Sequence, residues 1–174
     1  NIVNIKFMMI FKEKKHKDNL YNILLSLSRN IFFYDKIKLL DTFETRIYLM
    51  FMHFSIMLIV SKKKGKKFDQ KTYDLLFHNI ENNLRELGFG DVSVNKKMKD
   101  FNKILYDILL KIDIQSDSDK IAINNKLIKG YFKEFNDAKN PKYLEFESYL
   151  TNFYHFCFDQ PLESMVRNTI NFKF

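Results

Sequence analysis

Cysteine, proline and glycine are scarce in this sequence, and each scarcity narrows the classes of protein to which the chain can belong. The single cysteine, Cys157, excludes an intramolecular disulfide and a zinc site built from cysteines. Its apolar neighbours in FYHFCFD indicate a buried, inert thiol and not a nucleophile. Two prolines and four glycines among 174 residues argue against a disordered or low-complexity chain. The protein should therefore be globular.

Negative charge is also in deficit, which indicates an acidic partner. The chain has 29 Lys and Arg against 21 Asp and Glu, a net charge of +8. That partner can be RNA, an anionic membrane surface or an acidic patch of another protein. Arginine occurs at only four positions, and no arginine-rich or aromatic-studded RNA-binding motif is present. Sequence-specific recognition of nucleic acid is therefore disfavoured.

What the chain has in quantity is apolar side chains, 46% of all residues, enough for one domain with its own core. We predict a basic leader at residues 1–16, either flexible or lying on a membrane surface, and a single helical domain at residues 17–174. In the leader the basic cluster follows the apolar run. A secretory signal has the opposite order, so the leader is not predicted to be one.

Apolar residues recur at helical spacing in six segments, and no segment shows the alternation typical of a strand. The expected fold is all-α, a single-domain bundle of about six helices with a glycine-containing turn between the third and the fourth. The predicted helices span about residues 18–31, 41–60, 69–87, 93–112, 118–135 and 141–158, and Pro161 can start a short final helix.

Several helix ends carry sequence signals of their own. Asp18, Asp41 and Ser93 are predicted N-caps, and Glu44 is predicted to complete a capping box with Asp41. Gly88 is predicted to end the third helix in the left-handed conformation, since glycine has no Cβ to clash there.

The second predicted helix is apolar almost all round and is followed by the lysine-rich stretch SKKKGKK. A membrane span needs about 20 apolar residues, whereas the run from Ile47 to Val60 has 14 and contains His53. We therefore interpret it as the central core helix. The lysines then form a solvated loop, or a loop that contacts phosphates or lipid headgroups.

The GFGD segment at residues 88–91 raises the question of phosphate binding, because glycine-rich loops can cradle phosphates. It lacks the preceding strand and third glycine of a dinucleotide fingerprint, and Asp91 stands where a Walker loop needs lysine. Gly88 and Gly90 are thus predicted to be a structural turn. The start of the following helix, with Lys96 and Lys97 nearby, can still attract an anion, as lysine-flanked helix starts generally can.

No constellation of side chains predicts catalysis, a metal site or a cofactor site. His53 is best explained as a hydrogen-bonded core histidine. Charges at otherwise apolar places, Arg46, Arg85, Glu86 and Asp91, call for partners. Asp91 can pair with Arg46 or Arg85 and fix the turn, or these charges can form a surface where another chain docks.

A set of motifs in this chain resembles the ubiquinol-cytochrome c chaperone family. The motifs are LY at 20–21, SR at 28–29, FFY at 32–34, DTFETR at 41–46, the mid-helix His53, and RELGFGDVSVNKKMK at 85–99. The likeness covers about residues 17–158, and the glycine-turn motif is its most specific part. The chain departs from the family pattern at Leu40 and Asn95, where the family has proline, and at Thr45, where it has glycine.

The resemblance implies an all-α, non-enzymatic chaperone that holds newly made cytochrome b for assembly into the cytochrome bc complex, respiratory complex III. Its mitochondrial relatives work with a small partner protein and at the exit region of the ribosome. Since the sequence lacks an Arg- and Ser-rich transit peptide, it is similar to a bacterial member that acts from the cytoplasm, peripherally at the inner face of the inner membrane.

The partner-binding or groove-shaping residues are then expected to be Arg46, His53, Arg85, Glu86, Asp91, Lys96 and Lys97. An alternative function is a basic adaptor that associates with ribosomes or membranes and has no client-specific chaperone activity.

Overall fold

The computed structural model describes residues 19–115, 120–123, 130–135 and 141–174, and the predicted leader at 1–16 lies outside them. The all-α class is confirmed: the described residues contain six α-helices, one π-helix and one 3-10 helix. The α-helices are α1 (Leu20–Ser28), α2 (Phe43–Lys63), α3 (Gln70–Glu86), α4 (Asp91–Lys111), α5 (Pro141–Asp159) and α6 (Met165–Asn168). The π-helix is Phe32–Lys36, and the 3-10 helix is Thr169–Asn171.

The second α-helix, α2, lies at the centre of the molecule and packs against α1, α4 and α5. Its side chains are buried on nearly every side between Ile47 and Met57, as expected of a helix without a polar face. By length and composition α2 could cross a membrane, yet 67% of its most apolar stretch is buried inside the bundle. In this structure it is therefore the core helix of the domain.

The third and fourth helices form an antiparallel hairpin that packs on α2. The Phe77 ring of α3 stacks on Phe51 of α2 with centroids 5.8 Å apart. The Tyr73 hydroxyl of α3 donates to Asn102 Oδ1 of α4 at 3.1 Å. Lys97 at the start of α4 lies 3.7 Å from Glu44 at the start of α2. The glycine turn between α3 and α4 therefore lies at the N-terminal end of α2.

The fifth helix runs in the same direction as α2. Its Tyr149 contacts His53 in the middle of α2, and Lys64, just after α2, donates to the carbonyl of Gln160, just after α5, at 2.6 Å. The lysine-rich loop therefore lies at the opposite end of the bundle from the glycine turn. The 21 residues of α2 separate the two ends by roughly 30 Å, at 1.5 Å per residue.

The predicted fifth helix, residues 118–135, is wrong over its first part, because residues 120–123 form a strand. Strands β1 (Ile112–Gln115) and β2 (Lys120–Ile123) pair antiparallel, with Ile112 opposite Ile123. Along β1, burial alternates between the isoleucines and their polar neighbours, the period of a half-buried strand. The Ile121 amide donates to Thr151 Oγ1 of α5 at 3.2 Å. Packing on α5 thus decides in favour of the hairpin.

Three predicted caps are displaced from their expected positions. Asn19 caps α1, and Thr42 caps α2 by accepting from the Thr45 amide at 3.1 Å. This shift places Thr45 at the third helical position, so Glu44 completes no capping box with Asp41. Ser93 lies inside α4, because that helix begins at Asp91 after Gly90. An acidic residue in the first turn suits the positive end of the helix dipole.

Candidate functional site

The glycine turn is built by a helix-terminating motif of backbone hydrogen bonds. The Gly88 amide donates to the Arg85 carbonyl at 2.9 Å, and the Phe89 amide donates to the Leu84 carbonyl at 3.2 Å. These are the two bonds of a Schellman motif, which needs a left-handed residue at its turn. Gly88 has φ 91° and satisfies that need, so its predicted role is confirmed. Gly90 is extended, with φ −72°, and leads directly into α4.

Arg85 forms ion pairs with carboxylates on both sides of this turn. Its Nη2 lies 2.8 Å from Glu81 Oε1 one helical turn earlier, and its Nη1 pairs with Asp91 at the start of α4. Of the two partners considered for Asp91, the structure shows Arg85. The hydrogen bonds to Glu81 and Asp91 raise the pKa of the Arg85 guanidinium. Because the pairs are exposed, they fix geometry more than they add stability.

Arg46 belongs to a second charge cluster, around the start of α2. Its Nε and Nη2 donate to the two oxygens of Asp41 at 2.7 and 2.8 Å. This bidentate hydrogen bonding lowers the pKa of the Asp41 carboxyl. The nearby Tyr34 hydroxyl donates to the Ser28 carbonyl at 2.7 Å, which ties the cluster to the end of α1.

The lysines and Glu86 complete the surface at this end of the bundle. Lys97 reaches Glu44 and also lies over the Phe89 ring, with its Nζ 4.9 Å from the centroid. It therefore joins the glycine turn to α2. Lys96 and Glu86 are exposed to solvent.

His53 lies apart from all these charges, fully buried in the middle of α2. Its Nδ1 is 2.7 Å from the Leu49 carbonyl and its Nε2 is 2.9 Å from the Tyr149 hydroxyl. Burial lowers its pKa to about 4. The ring is therefore neutral at physiological pH and cannot contact a partner directly. It can shape the surface only by fixing the packing of α2 against α5.

Three exposed apolar side chains around the turn were missed at the sequence level. Leu87, Phe89 and Val92 are 57%, 39% and 86% exposed, and we refer to these three residues as the glycine-turn patch. Leu87 was the last residue of the third predicted helix, residues 69–87. That helix ends at Glu86, and the left-handed Gly88 then turns the chain away. Apolar residues directly beside the helix-ending glycines were the available signal.

The described residues give little support for a metal site or a small-molecule site at this end of the bundle. A cavity of about 410 Å³ opens beside the start of α2, lined by Thr42, Thr45, Tyr48, Tyr131 and Glu134 among others. Its lining is mixed, with hydroxyl and carboxylate groups beside aromatic rings. Among the described residues, no group of His, Cys, Asp and Glu is arranged to hold a metal ion. The distinctive feature at this end of the bundle is therefore the exposed apolar patch at the glycine turn.

Comparison with known proteins gives one match. A family model described as ubiquinol-cytochrome C chaperone matches residues 35–167, which include both charge clusters and the glycine turn. No curated protein and no solved structure matches the chain.

Proposed function

Because the chain belongs to the ubiquinol-cytochrome c chaperone family, we propose that it is a non-enzymatic assembly chaperone for cytochrome b. In this proposal it binds newly made cytochrome b and promotes assembly of the cytochrome bc complex, respiratory complex III. The observation that supports client binding is the glycine-turn patch, an exposed apolar surface held by a rigid turn and bordered by charges.

The exposed apolar side chains and the fixed backbone of the patch are suited to binding a hydrophobic client. Leu87, Phe89 and Val92 remain in contact with water in the free protein, so covering them with an apolar segment is favourable. The Schellman turn fixes their backbone in advance, which lowers the entropy lost on binding. Membrane proteins such as cytochrome b expose apolar segments before assembly.

The surrounding charges are proposed to select and orient the client. Arg85 and Asp91 hold the turn, and Arg46 with Asp41 holds the start of α2. Glu86, Lys96 and Lys97 lie around the patch and can contact polar groups at its rim. Charges at a rim contribute mainly to specificity and to the rate of association. His53 would act indirectly, through the core.

The cellular setting is part of the same proposal. We place the protein in the cytoplasm, peripherally at the inner face of the bacterial inner membrane, where cytochrome b is inserted. A small assembly partner and the exit region of the ribosome are further proposed contacts. The net charge of +8 supports attraction to either anionic surface.

Reversing the charge of Asp91 tests the client-binding role. Asp91→Lys should weaken cytochrome b capture in a pull-down because the ion pair with Arg85 becomes a repulsion. Asp100→Lys, an equal change at an exposed position of the same helix, is the matched control. Capture of cytochrome b at the wild-type level by a folded Asp91→Lys protein would refute the role.

Deletion of the gene tests the assembly role in the cell. It should reduce assembled complex III while the cytochrome b transcript persists.

The alternative function, a basic adaptor without client-specific activity, is favoured by a separate observation, the five lysines between residues 62 and 67. It predicts salt-sensitive binding to ribosomes or anionic vesicles with no cytochrome b recovered alongside. A deletion strain with normal complex III would support this alternative over the chaperone.

A further inference from the structure

The end of the bundle opposite the glycine turn carries the densest positive charge in the described structure. We refer to five lysines in the last turn of α2 and the loop that follows it as the lysine end: Lys62, Lys63, Lys64, Lys66 and Lys67. Lys66 pairs with Glu163 at 3.8 Å. Lys62 and Lys67 form no ion pair with any residue that the structure describes. Their charges are therefore available to an anionic partner.

Two open cavities adjoin at the lysine end and share the wall formed by Lys66, Lys67 and Phe68. One, of about 380 Å³, has an apolar floor that includes Leu20, Leu75, Leu162 and Met165. The other, of about 420 Å³, is lined by Leu58 and Lys62 in addition to the shared wall. The first cavity is also lined by the carboxylates of Asp69 and Glu163, and Glu163 is the partner of Lys66. Both cavities thus combine apolar side chains with lysines, and the lining lysines that form no ion pair within the described part of the chain are Lys62 and Lys67.

We propose that the lysine end is a docking site for an anionic phospholipid surface, in which the lysines contact headgroup phosphates and the cavities accept the adjoining apolar chains. Lysines beside anionic headgroups are attracted at short range. Their long aliphatic stems can lie against apolar surface while the ammonium groups stay in the polar layer. The pairing of rim charge with apolar floor matches the two parts of a phospholipid.

The aromatic rings at this end favour lipid over RNA. Single-stranded RNA is bound largely by stacking its bases on open aromatic faces. Here Lys63 Nζ lies 5.5 Å from the Tyr154 centroid and Lys64 Nζ lies 5.2 Å from the Phe158 centroid. One face of each ring is therefore covered by the chain's own ammonium group, and Tyr154 is also buried. Aromatic rings beside lysines are also typical of the membrane interface.

The lysine end supplies a contact for the proposed peripheral placement at the membrane, on which this inference rests, and it lies about the length of α2 away from the glycine-turn patch that is proposed to bind the client. A protein docked by its lysine end would present that patch away from the bilayer surface. Membrane docking and client capture can therefore be tested apart, and failure of one leaves the other standing.

Flotation of the full chain with vesicles tests the charge contribution. The wild type should bind vesicles of phosphatidylcholine mixed with phosphatidylglycerol, and not vesicles of phosphatidylcholine alone. The double variant Lys62→Glu/Lys67→Glu should bind the mixed vesicles at least about tenfold more weakly. Lys99→Glu/Lys103→Glu, on exposed positions of α4, changes the net charge equally and should retain binding. No preference for phosphatidylglycerol, or equal losses in both variants, would overturn the proposal.

A substitution that leaves the net charge unchanged tests the apolar contribution of the cavity to vesicle binding. Leu75→Asn, in the apolar lining of the cavity of about 380 Å³, should weaken binding to the mixed vesicles several-fold without altering the charge. Leu144→Asn, at a similarly exposed position near the start of α5, is its control and should have no effect. Equal binding by both variants would show that the lipid acyl chains do not enter the cavity.

Binding of a labelled single-stranded RNA tests the competing partner. If the protein binds this RNA at the same salt concentration and shows no phosphatidylglycerol-dependent flotation, the lysine end is assigned to RNA instead.

Discussion

At the scale of single residues, His53 shows how burial decides what a titratable side chain does. The Leu49 carbonyl can only accept a hydrogen bond, so His53 Nδ1 donates to it and carries the proton of the neutral ring. Nε2 is then the acceptor for the Tyr149 hydroxyl. The rings of Phe33 and Phe153 pack edge-on around the imidazole. This environment excludes the charged form.

The buried histidine should make the protein less stable as the pH falls through the acidic range. The pKa of His53 is lowered from 6.5 to about 4, so between these values the unfolded chain binds the proton and the folded chain does not. Stability is full above pH 6.5 and falls below it, by about 2 kcal/mol at pH 5.

Urea unfolding at pH 8 and pH 5 measures this loss. In His53→Gln, which retains a donor and an acceptor but does not titrate, the difference between the two pH values should shrink by about that amount. An unchanged difference would mean that other groups carry the pH dependence.

A core histidine could be predicted at this position because His53 interrupts an apolar helix. Its partner could not, since Tyr149 is 96 residues away in the sequence, and only the packing of α5 on α2 brings the two side chains together. The pairing of Asp91 with Arg85 could be predicted as one of two alternatives, because both residues flank one turn. The separation of Arg46 into another cluster depends on Asp41, which the sequence had assigned as a cap.

At the scale of secondary-structure elements, the glycine turn allows a clean comparison of two backbone conformations. A Cβ added at Gly88 or at Gly90 would meet no atom within 4 Å. The two positions differ in φ, which is 91° at Gly88 and −72° at Gly90. Any difference between alanine variants at these sites therefore reports the backbone alone.

We expect Gly88→Ala to destabilise the protein by about 1–2 kcal/mol, the usual cost of left-handed backbone for a residue with a Cβ. Gly90→Ala should change the free energy of unfolding by less than about 0.5 kcal/mol, since alanine adopts its conformation freely. Chemical denaturation of the two variants beside the wild type measures both values. Equal costs would mean that Gly88 is not held in the left-handed conformation.

Helices with many apolar residues at helical spacing could be predicted from the sequence, whereas elements that form only through tertiary contacts could not. The apolar faces of α3, α4 and α5 predicted those helices to within a few residues. The β-hairpin was missed because IDIQ and KIAI are only four residues each. Segments this short show too little strand alternation to outweigh the prediction of a helix. Its formation depends on burying Ile121 against α5, a contact that local sequence does not encode.

At the scale of the whole molecule, the bundle keeps its apolar patch and its densest positive charge at opposite ends of α2. A buried core of aromatic and aliphatic side chains separates the two ends. The proposed functions divide accordingly, with client capture at the glycine turn and lipid docking at the lysine end. Surface positions at one end can therefore be changed without disturbing the other, because distant sites act independently.

Two exposed residues of α4 test this division for the client. Val92 at the glycine turn is 86% exposed, and Leu110 at the far end of the same helix is 84% exposed. Val92→Ser and Leu110→Ser should each change stability by less than about 0.5 kcal/mol, as surface substitutions usually do. Only Val92→Ser removes apolar area from the proposed client surface. In pull-downs from detergent extracts it should recover several-fold less cytochrome b than the wild type, whereas Leu110→Ser should match the wild type. Equal recovery by the two variants would exclude the glycine-turn patch as the client surface and direct attention to the cavity beside the start of α2.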